Sequence, residues 1–211
     1  ATDSEHSPLH EPVTRTVLIG LPAAAGTVTL ASPILTTLFS YGEMSPFDII
    51  QSAQSLGAYA AGLPAFILIK VLAPGYFARQ DTVTPVKIGV IALLTNIVLN
   101  FLLVGHLGHV GLALATSLSA WLNATLLWMG LKKKALIADG FGTQLFLARI
   151  FFATAIMVIV TNLFTKPSEV WFSLSVWDRA IDLFLSISIA ITVYVVILLI
   201  LGLKKKELLM E

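Results

Sequence analysis

Asn96 and Asn100 stand four residues apart in an otherwise apolar run, so their amides share one face of a helix. Thr116 lies in the apolar run that follows. Polar groups set among apolar residues must find partners. Two chemistries suit them: hydrogen bonds between helices, or coordination of a hard cation such as sodium by amide and hydroxyl oxygens. Neutral oxygens without a carboxylate would hold that ion weakly. His106 and His109, three residues apart in what reads as a short turn, have no carboxylate or third histidine near them in sequence, which argues against a metal centre. The chain has no cysteine, so disulfides, thiolate metal sites and cysteine nucleophiles are excluded. It also lacks a phosphate-cradling glycine loop with lysine, and no paired carboxylates fall inside an apolar run. The chain does not read as an enzyme, and no cofactor is expected beyond possible Na+.

The elements that carry these residues follow from composition. Of 211 residues, 57% are hydrophobic and only 12% charged. A soluble domain carries roughly 25% charged residues. This excess of apolar surface needs lipid as its solvent. Crossing a hydrocarbon core takes roughly 20 apolar helical residues, and six stretches qualify: 16–39, 52–74, 85–105, 108–131, 144–164 and 179–203. Open strands would leave backbone groups unpaired in hydrocarbon, and the continuous runs do not alternate as a transmembrane barrel does. The expected fold is an all-α polytopic membrane bundle of six transmembrane helices.

Charge fixes its orientation. Of 13 basic residues, 11 fall on one side of these spans: Arg15, Lys70, Arg79, Lys87, Lys132 to Lys134, Arg149 and Lys204 to Lys206. Lys166 and Arg179 face the other way, with Glu43, Asp48, Glu169 and Asp178. The positive-inside rule places the basic side, and both chain ends, in the cytoplasm. The lysine triplets then serve as topology anchors and contacts for anionic lipid; nucleic acid is not an expected partner. Residues 1–12 read as a polar tail or cut loop, 13–134 as four helices, 135–203 as two more, and 204–211 as a basic tail.

Within the spans, Pro22 and Pro33 interrupt the first, and Gly57, Gly62 and Pro64 the second. Both patterns suit bent helices, whether for packing or for gating. Gly111, Ala115, Ser119 and Asn123 form a narrow stripe suited to close helix contact.

The run from Lys70 to Lys87, Lys-Val-Leu-Ala-Pro-Gly-Tyr-Phe-Ala-Arg-Gln-Asp-Thr-Val-Thr-Pro-Val-Lys, closely resembles the signature that joins the tenth and eleventh helices of MurJ (MviN) lipid II flippases, in the MOP exporter superfamily. Leu38 to Glu43, then Phe47-Asp48, resemble the end of the ninth helix and the opening of the tenth. Gly108 to Leu114, with Leu122-Asn123-Ala124, resemble the twelfth. Tyr76-Phe77 reverses the familiar order.

The resemblance implies helices nine to fourteen of a fourteen-helix transporter of the bacterial inner membrane. Its partners would be an undecaprenyl-linked peptidoglycan precursor, membrane lipids and the missing N-terminal helices, which carry most of the family's cationic cavity. It implies that Lys70, Arg79 and Lys87 attract the diphosphate at the inner mouth; pairing of Arg79 with Asp81 is the alternative. It places Asn96, Asn100 and Thr116 where some members bind sodium, although Asn100 stands in place of a carboxylate. It makes the last two helices a groove for the lipid tail, with Ser186 and Ile189 on its wall. Rival expectations are an exporter of another polyprenyl-linked oligosaccharide or drug, and a non-transporting scaffold for cell-wall enzymes.

Overall fold

The computed structural model describes residues 10–41, 43–133 and 141–203. Within them the chain is helical throughout: α1 (His10–Thr29), α2 (Ala31–Phe39), α3 (Pro46–Ala60), α4 (Leu63–Phe77), α5 (Val83–Lys133), α6 (Phe141–Phe164), the short α7 (Ser168–Ser173) and α8 (Val176–Ile200). Lys134 lies outside the described residues, as do the expected polar tail through Leu9 and the whole of the basic one, 204–211, with its Lys204 to Lys206 triplet.

Length and composition single out four helices able to cross a membrane, or five when the bent pair α1–α2 is taken as one span. The sixth comes from α5. Its 51 residues would run about 76 Å if straight, far beyond a hydrocarbon core about 30 Å thick. Instead the chain reverses at Gly108, whose φ of 55° and ψ of −129° leave the helical region. A side chain rarely adopts that conformation, and glycine does so freely. The reversal brings Asn96 within 3.3 Å of Ser119. It also packs the arms so tightly that a Cβ on Gly111 would sit 2.6 Å from the Leu103 carbonyl oxygen. Two antiparallel arms, 83–107 and 109–133, therefore match the third and fourth expected spans.

The two spans whose prolines and glycines suited bent helices are both interrupted. The first bends by 64° between α1 and α2, and the second divides at Ala61-Gly62 into α3 and α4. Hydropathy reports only how long a chain stays apolar, so neither break is visible to it. Helix α7 was not expected at all.

Caps start the helices that enter from polar loops. Ser45 and Asp48 form a reciprocal capping box, each side chain bonding the other's backbone N–H, and Pro46 opens α3. Ser175 caps α8 by accepting from the Asp178 N–H at 3.3 Å.

Three apolar clusters tie the spans together. One joins α1, α6 and α8 through Leu18, Ile150, Ala153, Met157, Ala190 and Leu198. A second gathers Val13, Leu72, Tyr76, Ile88, Leu127 and Leu131 from α1, α4 and both arms of α5. The third packs Ala65 of α4 against Ala120 and Ala124 of α5. The second draws the basic ends of four helix segments to one end of the bundle, so the charge asymmetry in sequence is also one in space. At the other end Arg179 reaches the Ser40 carbonyl, and Ser32 meets Ser168.

Candidate functional site

An apolar groove of about 470 Å³ runs between α1–α2 and α8, lined by α1, α2, α6 and α8. Its α8 wall is the stripe Ile187, Ala190, Ile191 and Tyr194, at i, i+3, i+4 and i+7. Its other wall includes Pro22, Gly26, Leu30 and Ile34, where α1 gives way to α2. Small residues on both walls make the space: a Cβ on Gly26 would meet nothing nearer than Met157 at 4.0 Å.

The groove is anchored by one hydrogen bond whose cause lies in the sequence. Pro22 has no N–H, so the Leu18 carbonyl loses its helical partner four residues on. The Tyr194 hydroxyl of α8 donates to that carbonyl at 2.7 Å. Membrane helices tolerate proline where a neighbour satisfies the freed group, and here the neighbour is the opposite wall.

Ser186 and Ile189 lie on the adjacent stripe of α8. They line a smaller pocket, of about 130 Å³, with Lys166, Trp171 and Asp182, at the end where Lys166 pairs with Asp182 at 2.6 Å. The wall of the larger groove is thus one position further along the helix than the residues expected from sequence.

Asn96, Asn100 and Thr116 do come together, across the α5 hairpin. The Asn100 amide donates to the Asn96 oxygen at 3.2 Å. The Asn96 amide in turn donates to Ser119 at 3.3 Å and to Thr116 at 3.5 Å. The hydroxyls pass their protons to the return arm's own carbonyls, Thr116 to Leu112 and Ser119 to Thr116. Donors thus run in one direction through the set, which clasps the hairpin. A cation needs oxygens, and Asn96 turns its nitrogen toward the hydroxyls. One buried oxygen, Asn100 Oδ1, has no partner. As folded, these residues fit a hydrogen-bonded clasp, and a sodium cage would require rotated amides and further oxygens.

At the basic end, Arg79 lies in the α4–α5 turn and Lys87 one turn into α5, both exposed. Lys70 is exposed on α4, seven residues before its last, about 10 Å deeper along the axis. Asp81 caps α5 by accepting from the Thr84 N–H at 3.0 Å. The shape of this end depends on Tyr76, fully buried, whose hydroxyl donates to the Leu127 carbonyl at 2.8 Å in the notch left by Gly130.

Sequence reasoning missed Arg179 as a structural residue. It is 7% exposed and donates to the Phe172 carbonyl at 2.9 Å and the Ser40 carbonyl at 3.3 Å. It thereby staples the ends of α2 and α7, where helix carbonyls carry partial negative charge. Its position beside the capped start of α8 was the available signal. Among the described residues no group of three or more acidic, histidine or cysteine side chains is placed to hold a metal.

The family model described as lipid II flippase MurJ matches residues 2–180 of this chain. A probable lipid II flippase MurJ of Vibrio cholerae is 42% identical over 190 residues, covering 90% of this chain and 36% of that protein. The probable lipid II flippase MurJ of Haemophilus influenzae is 40% identical, covering 91% of this chain and 38% of its own length. The lipid II flippase MurJ of Burkholderia cenocepacia is 36% identical over 67% of this chain. The chain spans little more than a third of the length of the first two relatives.

Proposed function

The chain belongs to the lipid II flippase MurJ family, and on that premise we propose that it forms the C-terminal portion of a flippase. The flippase moves an undecaprenyl-linked peptidoglycan precursor from the cytoplasmic to the periplasmic leaflet of the bacterial inner membrane. The basic end of the bundle faces the cytoplasm, and transport proceeds by alternating access with no bond in the substrate changed. The relatives are nearly three times as long as the stretch they share with this chain, and their remaining helices complete the polar cavity.

The observation that carries this reading is the apolar groove between α1–α2 and α8. A polyprenyl tail gains little by leaving lipid for such a wall, because lipid tails are as apolar as leucine. The groove therefore guides the tail by shape and leaves it free to slide, as a carrier that must release its cargo requires. Arg79 and Lys87 attract the diphosphate at the cytoplasmic mouth, where a guanidinium can bind phosphate oxygens bidentately, and Lys70 continues the positive path along α4. Coordination of sodium by Asn96, Asn100 and Thr116 is part of the proposal only with oxygens from outside this chain.

Filling the groove tests the reading. In the intact transporter, Ala190→Trp should insert normally and lose most lipid II flipping in proteoliposomes. Ile189→Trp, on the neighbouring stripe, should retain it. Unimpaired flipping by Ala190→Trp would remove the tail from this groove.

A further inference from the structure

We infer that the two interrupted spans differ in stiffness: the α3–α4 junction, which keeps Pro46–Phe77 a single span, is locked by the return arm of α5, and the compliant joint of this unit is the α1–α2 break. The inference goes beyond the proposed function by assigning where within the unit movement is taken up, and it uses the flippase reading only to choose a substrate.

At Gly62 the backbone leaves regular helix bonding. The Gly62 N–H bonds Tyr59 at 3.0 Å and so abandons Ala58, while Pro64 has no N–H to give. Freed carbonyls inside a bilayer must be satisfied, and α5 supplies the donors. Ser117 Oγ donates to the Ala58 carbonyl at 2.7 Å, with the Tyr59 carbonyl at 3.3 Å. Trp121 Nε1 donates to the Ala61 carbonyl at 2.9 Å. The approach permits no slack: a Cβ on Gly62 would lie 2.9 Å from the Ser117 Cα. Bending at this junction breaks hydrogen bonds to a neighbouring span, and bending toward α5 drives backbone into backbone.

The α1–α2 break is built otherwise. Pro33 deprives the Thr29 carbonyl of its helical partner. Thr27 and Thr29 spend their hydroxyls within α1, on Ala23 and Ala25. Among the described residues no side chain of another element bonds a carbonyl between Gly26 and Leu30. The inner side of the break opens on the apolar groove, where Gly26, Thr27, Leu30 and Ile34 form the wall. Bending here breaks no side-chain bond at the break itself, because the ties of α2 to its neighbours lie beyond it, at Ser32 to Ser168 and at the Ser40 carbonyl to Arg179, and it widens or narrows the groove. A change of 10° would carry the far end of the nine-residue α2, about 14 Å long, by about 2 Å.

Spin-label distances across each break provide the test. The chain has no cysteine, so labels at Ile50 and Phe77, and at Ile19 and Leu38, can be placed on exposed positions of the intact transporter. Without substrate, the Ile50–Phe77 distribution should be the narrower, and Ser117→Ala with Trp121→Phe should broaden it. These readings need no transport, so they stand even if lipid II is the wrong substrate. With lipid II added, Ile50–Phe77 should hold its distance and Ile19–Leu38 should move by about 2 Å or more. A shift across Gly62, or a narrow and unmoved distribution across Leu30, would overturn the inference.

Discussion

Two spans of this bundle are interrupted by the same kinds of residue, and the interruptions are finished differently. At Ala61-Gly62 the exposed carbonyls are met by Ser117 and Trp121 from a neighbouring span. At Leu30 the chain turns by 64° beside an apolar groove, with no such donor among the described residues. Glycine and proline thus set where a membrane helix can bend. The neighbour decides whether the bend is a fixed shape or a joint.

The strongest way to break this comparison is to add bulk at both places. Gly62→Val pushes a Cβ and two methyls against the Ser117 backbone, and overpacking of this kind costs about 1–3 kcal/mol or more. Gly26→Val faces open groove, with its nearest neighbour 4.0 Å away, and should be near neutral, since valine is the better helix former of the two by a few tenths of a kcal/mol, roughly. Thermal unfolding of the intact protein in detergent should rank them in that order; equal losses would end the distinction.

Removing the donors without changing the shape sharpens it. Ser117→Ala and Trp121→Phe each leave a carbonyl unpaired at the break, at about 1–3 kcal/mol apiece where the carbonyl is kept from water. Thr27→Val, at the other break, removes only a bond within its own helix and should be near neutral. A double variant at Ser117 and Trp121 no less stable than the wild type would mean that the bend holds itself.

How much of this was legible in the sequence depends on the kind of information each feature needs. Hydropathy and charge located six spans because length and apolarity suffice for that. The asparagine pair was readable because i and i+4 share a face, and a turn near Gly108 brings the next span back over it. The breaks were legible as candidates, from Pro22 and Pro33 in one span and Gly57, Gly62 and Pro64 in the other, but the residue at which each helix gives way was not. Pro22 and Pro33 look alike in sequence, yet α1 runs on through Pro22 because Tyr194 replaces the lost bond, while the chain turns just before Pro33. That partner lies more than 170 residues away in the chain. The larger groove lies one position along α8 from Ser186 and Ile189, a distinction the sequence does not mark because that helix is apolar on nearly every side and has little periodicity.

The smallest expected effect concerns whether the same clasping chemistry holds the hairpin of α5. Asn96 links the arms through two hydroxyls, whereas Asn100 bonds only Asn96. Interhelical side-chain bonds in membranes average about 0.6 kcal/mol, so Asn96→Leu should cost about that and Asn100→Leu less, both independent of sodium. Stability that rises with sodium in the wild type and is lost in Asn100→Leu would replace the clasp with an ion site.

The bond between Tyr194 and Leu18 also bears on how such a chain can change over generations. A proline at position 22 creates a debt in α1 that a distant hydroxyl on α8 discharges, so the two positions are not free to drift alone. Replacing the tyrosine first strands a carbonyl in hydrocarbon; replacing the proline first releases the tyrosine from its role. The permitted order runs through Pro22. Relatives that keep a proline there should keep a donor opposite it, and those that have lost the proline should accept phenylalanine at the facing site. In this respect the last helix is a tenant whose lease is written in the first.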